Sequence, residues 1–146
     1  MPTRSDEGRA GELSLAQARM LVDGALDAAT DMGCEACVTV VDAGGLVVMK
    51  ARSDAVSRIS IEMSECKAFT AAMVEMPTGD LYDLVQPGGP FYGFTGTQGG
   101  RIVAFAGGLP LRRDGRVTGG IGVSGGSAEQ DGAIAAQAIE RLEGVG

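Results

Sequence analysis

Residues 36–52, with the sequence ACVTVVDAGGLVVMKAR, decide the fold that we predict. Two runs within this stretch, residues 36–42 and 46–52, are rich in valine and other residues that favour strands. Ala43-Gly44-Gly45 separates them, and a three-residue loop with two glycines is typical of a tight turn between antiparallel strands. The stretch therefore predicts an antiparallel hairpin.

Helical patterns lie on both sides of this hairpin. Ser14 and Gln17 have the spacing of a capping box, in which each side chain bonds the backbone N–H of the other. Ser127 and Gln130 repeat that spacing near the end of the chain. Pro77 ends a helix, because proline lacks the N–H that a helix interior needs. The predicted helices lie at residues 15–32, 58–75 and 79–85, the third with Thr78 as its N-cap, and a final helix follows Ser127.

The second half of the chain supplies the remaining strands. Residues 101–106, RIVAFA, have the composition of a strand, and residues 109–111 continue as extended chain. Asp114-Gly115 is a strong signal for a two-residue hairpin turn, and a glycine-rich strand follows at residues 117–124. Because hairpins rather than crossovers join the strands, we predict an α+β sandwich in which helices pack on an antiparallel sheet of about five strands.

The composition excludes several classes of function. The 146 residues carry 12 basic and 19 acidic side chains, for a net charge of −7. Nucleic acids and anionic membrane surfaces attract basic proteins, so neither is an expected partner. The chain has no histidine, which excludes histidine-dependent nucleophiles, imidazole metal sites and axial histidine ligands to haem.

The chain is predicted to form one domain, residues 13–146, after a polar and flexible tail at residues 1–12. No apolar run reaches the roughly 18 residues that a membrane-spanning helix needs. Residues 1–12 lack the apolar centre of a signal peptide. The three cysteines, an odd number, do not suggest a disulfide framework. We therefore expect a cytoplasmic protein.

Two glycine-rich segments are candidate ligand sites. One is the junction between the last strand and the last helix, where free backbone N–H groups and the helix dipole favour an anion. The alternative there is a tight turn that packing requires. The other is the loop at residues 86–92, whose prolines make it a stiff pocket wall or a contact with another subunit. The candidate binding residues of the two segments are Gly88, Gly89, Phe91, Tyr92, Gly125 and Gly126.

Four charged side chains are further candidates. Lys67 falls on the apolar side of its predicted helix, where an amine could act as a base or anchor an anion. The alternative is a structural pair with Glu129 or Asp42. Glu129 is the candidate carboxylate for proton transfer. Arg52 and Arg101, each at the end of a predicted strand, could bind a carboxylate, and the alternative is ordinary surface charge.

Five groups of residues, in this order, resemble motifs of the GlcG/HbpS-like family. They are Val40-Val41-Asp42-Ala43-Gly44-Gly45, Lys67-Ala68-Phe69-Thr70-Ala71, Gln86-Pro87-Gly88-Gly89-Pro90-Phe91-Tyr92-Gly93, Gly99-Gly100-Arg101-Ile102-Val103 with Gly107-Gly108, and Gly120-Ile121-Gly122-Val123-Ser124-Gly125-Gly126 with Glu129-Gln130-Asp131. The resemblance covers about residues 13–142. It implies a profilin-like sandwich that forms homo-oligomers, from dimers to octamers, and that binds haem or another tetrapyrrole.

The chain departs from this picture because it has no histidine, and because we expect no signal peptide in it, unlike the secreted haem-binding members of the family. Haem would need another ligand, such as Tyr92, a methionine, a cysteine or a hydroxyl. We therefore interpret the chain as an oligomeric small-ligand-binding protein that resembles the haem and tetrapyrrole binders but acts without histidine. The alternative is a cofactor-independent isomerase, cyclase or lyase that moves protons on a small metabolite in an intersubunit pocket, with Lys67 and Glu129 as its acid and base.

Overall fold

The computed structural model describes residues 12–145, which form a four-stranded antiparallel sheet covered by helices on both faces. The strands lie in the order β2-β1-β4-β3. The predicted α+β class is confirmed, with four strands instead of about five. The tail was predicted at residues 1–12, and residues 1–11 of it lie outside the described residues. The helices and strands are α1 (Leu15–Asp31), β1 (Cys37–Asp42), β2 (Val47–Arg52), α2 (Ile59–Val74), β3 (Gly108–Arg113), β4 (Arg116–Ser124) and α3 (Ala128–Val145).

One face of the sheet holds the main apolar core. Helices α1 and α3 pack against each other and cover this face. Alternate residues of the central strands point into the core, because successive side chains of a strand face opposite sides. These buried strand residues are Val38, Val40, Ile121 and Val123.

Helix α2 covers the other face of the sheet, and its backbone lies unusually close to the backbone of β4. Gly120 and Gly122 of β4 lie on this face, and neither has a side chain to hold the helix away. A Cβ atom on Gly122 would fall against the backbone oxygen of Ser64 and within 2.5 Å of the backbone nitrogen of Ala68. The glycine-rich sequence of β4 therefore lets the backbone of α2 rest directly on the sheet.

The predicted turns and caps are confirmed where the local sequence specifies them. Both capping boxes form, with reciprocal hydrogen bonds of 3.0 and 3.1 Å between Ser14 and Gln17. Those between Ser127 and Gln130 are 2.9 and 3.1 Å. In the β3–β4 turn, Asp114 and Gly115 have φ angles of 51° and 77°. Two central residues with positive φ match the twist of the flanking strands.

The strand predicted at residues 101–106 is wrong. This segment forms no ladder, and Thr70 of α2 holds it instead: the Thr70 hydroxyl donates to the carbonyl of Arg101 and accepts from the N–H of Val103, both at 3.1 Å. Ile102 and Ala104 are buried against Phe69 and Leu81. Apolar side chains and a single hydroxyl thus replace a strand partner.

The helix predicted at residues 79–85 is also corrected, to one 3₁₀ turn at Thr78–Leu81. Thr78 does not cap it. The Thr78 hydroxyl instead donates to the carbonyl of Phe105 and accepts from the N–H of Gly108 at 3.0 Å, which ties this turn to the start of β3.

Thr70→Val should lower the free energy of unfolding by about 1–3 kcal/mol, because it removes two part-buried hydrogen bonds, to the N–H of Val103 and to the carbonyl of Arg101. Thr30→Val is the matched control, since the hydroxyl of Thr30 makes an exposed bond to the carbonyl of Leu26. Its effect should stay within about 0.5 kcal/mol. Urea unfolding measures both, and equal losses would contradict the role given to Thr70.

Candidate functional site

A buried ion pair joins α2 to α3 at the end of β4. The Lys67 ammonium donates to the Oδ2 of Asp131 at 3.0 Å and to the backbone oxygen of Val123 at 2.9 Å. Lys67 is 3% exposed and Asp131 is 2% exposed. Gly107 leaves room for the ammonium, because a Cβ there would lie 2.8 Å from its nitrogen. A charge buried this deeply is stable only when it is paired and hydrogen-bonded.

The same carboxylate closes the glycine junction before α3. The Oδ1 of Asp131 accepts the backbone N–H of Gly126 at 2.9 Å, so both oxygens of Asp131 have partners. The next N–H, that of Ser127, donates to the side chain of Gln130. Two of the donors expected to hold an anion at Gly125-Gly126 are therefore bonded to the protein itself.

Several predicted site residues lie at this end of the sheet. Cys37, the first residue of β1, is paired with Arg52 of β2 and with Ser124 of β4. Arg52 and Gly125 therefore lie at the same end of the strands. Glu129 is exposed on the first turn of α3, and the partner of Lys67 is Asp131 rather than Glu129 or Asp42. The acid and base roles given to Lys67 and Glu129 stay a prediction.

Sequence reasoning missed Asp131, although a signal for it exists. The inward face of α3 carries Ile134, Ala135 and Ala138, which are fully buried. Asp131 precedes them at the same three- and four-residue spacing, whereas Glu129 does not. An acidic residue in register with an apolar helix face indicates a buried partner.

The remaining predicted residues lie in the long connection between α2 and β3. Its loop is a series of turns, with Gly88 at a φ of 86° and Gly89 packed so closely that a Cβ would lie 2.6 Å from the oxygen of Leu84. Phe91 and Tyr92 are exposed, by 55% and 70%. Arg101 stacks on Phe69, with its guanidinium carbon 3.8 Å from the ring centre.

A groove of about 240 Å³ crosses this connection, and we call it the aromatic groove. Tyr82 and Phe105 border it, and their side chains are 55% and 52% exposed. Neither residue of the buried ion pair, Lys67 or Asp131, lines the aromatic groove. The other residues that line the aromatic groove are Val85, Gln86, Thr95 and residues 102–104.

Cys66 lies on α2, and its thiol is buried. Burial raises the pKa of the Cys66 thiol, and the negative charges of Glu62 and Glu65 raise it further. Between residues 12 and 145, no three His, Cys, Asp or Glu side chains are grouped so that they could hold a metal ion. In the same range, no helix has the length and apolar character to cross a membrane.

Fold and site together define a class: small α+β proteins in which a glycine-rich strand brings one helix onto an antiparallel sheet and an aromatic-lined connection leaves a surface groove. Residues 13–140 match the family described as "Haem degrading protein HbpS-like". The chain belongs to this HbpS-like family, which confirms the resemblance found in the sequence.

Three known proteins illustrate the similarity. The corrinoid adenosyltransferase PduO of Salmonella typhimurium is 38% identical over 97% of this chain, but the chain spans 42% of the length of that relative. The crystal structure of Klebsiella pneumoniae protein ORFY has a TM-score of 0.90 at 31% identity and covers 98% of this chain and 97% of its own. The structure described as the PduOC:heme complex has a TM-score of 0.86 at 38% identity, over 89% of this chain and 94% of its own.

Proposed function

We propose that the chain binds haem or a related tetrapyrrole at the aromatic groove, without a histidine ligand. The observation that carries this proposal is the groove itself, with its two exposed aromatic side chains, Tyr82 and Phe105. Exposed aromatic surface bordering a groove is characteristic of ligand sites and interfaces. The heme complex of a structure 38% identical to this chain supports the choice of ligand.

We infer from the small size of the groove that a second chain would complete the site. Pockets for drug-sized ligands measure roughly 300–1,000 Å³, and the aromatic groove has about 240 Å³. A macrocycle bound there would leave one of its faces in water. Phe91 and Tyr92, both largely exposed on the neighbouring loop, offer an apolar surface on which a second copy can close the site. We therefore propose a homo-oligomer that binds its ligand between subunits.

Tyr82 is the residue best placed to hold the iron. It borders the groove and carries an oxygen, and a tyrosine oxygen is a known axial ligand to haem. Tyr92, the other tyrosine of the chain, does not line the groove. Cys66 is a poorer candidate because it is buried in α2 and its thiol has a raised pKa. Bound haem would supply a redox-active iron centre, which the oxygen of Tyr82 would hold.

Titration with haemin and with iron-free protoporphyrin separates contact with the macrocycle from ligation of the iron. Phe105→Ala should weaken the binding of both compounds about tenfold, because it removes a large apolar contact. Tyr82→Phe should weaken haemin alone and abolish the visible charge-transfer band of an iron-bound tyrosinate. Absorbance spectra and dissociation constants measure these effects, and native mass spectrometry gives the number of chains for each ligand.

Tyr92→Phe is the matched variant, because it keeps the exposed ring and removes only the hydroxyl, and it should leave the charge-transfer band in place. Loss of the band in this variant instead would assign the iron to Tyr92. Failure of haemin to saturate the protein would contradict haem binding. If Phe105→Ala and Tyr82→Phe both bind haemin as the natural sequence does, the aromatic groove is not the haem site. One haem in every single chain would contradict the shared site but leave the binding function intact.

The proton-transfer function has weaker support. It needs a base that reaches a substrate, and the aromatic groove is lined by neither Lys67 nor Glu129. The contacts of Lys67 and Asp131 bind these groups to the protein, which favours a structural role for the pair.

A further inference from the structure

Two grooves meet at the β3–β4 hairpin, and neither shares a lining residue with the aromatic groove. The larger, of about 480 Å³, has apolar walls from α1, β3 and α3, with Met20, Leu111 and Leu142 among them. The smaller, of about 310 Å³, lies along the hairpin and is lined in part by Arg113 and Arg116. Both are lined by Arg113, so they form one continuous depression, which we call the hairpin groove.

The two arginines are exposed and place two positive charges side by side at the hairpin. Arg113 and Arg116 are direct partners across β3 and β4, and like charges directly opposite each other repel. Neither forms an ion pair with any residue between 12 and 145, the intervening Asp114 included. Arg112 differs, because its guanidinium donates to the backbone oxygen of Glu75 at 2.6 Å.

We propose that the hairpin groove binds an amphiphilic monocarboxylate of medium chain length, with the carboxylate between Arg113 and Arg116 and the hydrocarbon chain along the apolar walls. A guanidinium group presents paired N–H donors that fit a carboxylate. The volume of the larger groove is in the usual range for small ligands. This site is independent of the proposed tetrapyrrole site.

The acidic residues of the groove define the charge of the headgroup. Glu12 and Asp114 border the smaller groove, and Glu143 borders the larger one. These carboxylates would repel a phosphate dianion more strongly than a single negative charge. The site therefore selects a monocarboxylate over a phosphate ester, and it selects a carboxylate over an uncharged alcohol because only an anion is attracted by the charges of the two guanidinium groups.

Calorimetric titration of the full chain with decanoate, decanol and decyl phosphate tests this selection. Decanoate should bind at least tenfold more tightly than the other two compounds, and octanoate should bind more weakly than decanoate by about fourfold for each missing methylene. Arg113→Gln and Arg116→Gln should each weaken decanoate about tenfold. Arg58→Gln, the same loss of charge at the start of α2, should have an effect below twofold.

Four results would overturn the proposal. Equal affinity for decanoate and decanol would remove the role of the arginines, and equal affinity for octanoate and decanoate would remove the role of the apolar walls. Decanoate binding that appears only after residues 1–11 are deleted would show that the chain itself fills the groove. Tighter binding of decyl phosphate would assign the arginines to a phosphate ester instead.

Discussion

Lys67→Met should lower the free energy of unfolding by about 3–5 kcal/mol, because it leaves the carboxylate of Asp131 buried without its counter-charge. Asp131 is 2% exposed, so water cannot take the place of the ammonium without opening the junction between α2 and α3. Asp131→Leu should lower the free energy of unfolding by a similar amount, because it leaves the ammonium of Lys67 buried without its counter-charge. Urea unfolding at neutral pH measures both losses.

The chain contains its own matched control. Lys50 is the other lysine, and it also pairs with a carboxylate, that of Glu65, at 2.7 Å. The side chain of Lys50 is 25% exposed and that of Glu65 is 47% exposed. Because water can solvate both charges, Lys50→Met should lower the free energy of unfolding by only about 1 kcal/mol.

The double variant Lys67→Met with Asp131→Leu distinguishes pairing from simple packing. Its loss should be clearly smaller than the sum of the two single losses, because it removes both charges together. Additive losses would show that the two side chains contribute independently, and a loss at Lys67 equal to that at Lys50 would contradict the importance of burial.

The elements that the sequence predicted well are those specified by neighbouring residues. The capping boxes at Ser14 and Ser127 and the turn at Asp114-Gly115 depend on contacts within four residues, so a short pattern contains the whole cause. Residues 101–106 show the opposite case. Their composition suits a strand, but their hydrogen-bond partner is Thr70, 31 residues earlier, and no local pattern identifies it.

The candidate site was predictable in part for the same reason. Lys67 was placed on an apolar helix face by its spacing, and the structure buries it. Its partner lies 64 residues away, so the choice between Glu129 and Asp131 depended on which one faces inward from α3. The aromatic groove and the hairpin groove arise where separate segments meet, and such surfaces have no signature in any one segment.

Gly122→Ala should lower the free energy of unfolding by about 3 kcal/mol or more, although it adds a single methyl group. The new Cβ would meet the backbone oxygen of Ser64 and the backbone nitrogen of Ala68, and backbone atoms inside a helix cannot rotate away as a side chain does. It would also lie 3.0 Å from the Cβ of Lys67, so moving α2 outward would strain the ion pair with Asp131.

Gly144→Ala is the control for Gly122, because nothing lies within 4 Å of a Cβ at that position of α3. That substitution should be neutral or should stabilise the protein by up to about 1 kcal/mol, the difference in helix propensity between alanine and glycine. Thermal and urea unfolding measure both variants. A Gly122→Ala protein that unfolds at the same urea concentration as the natural sequence would mean that α2 can move away from β4 without loss, and that the glycines of this strand are not what brings the helix onto the sheet.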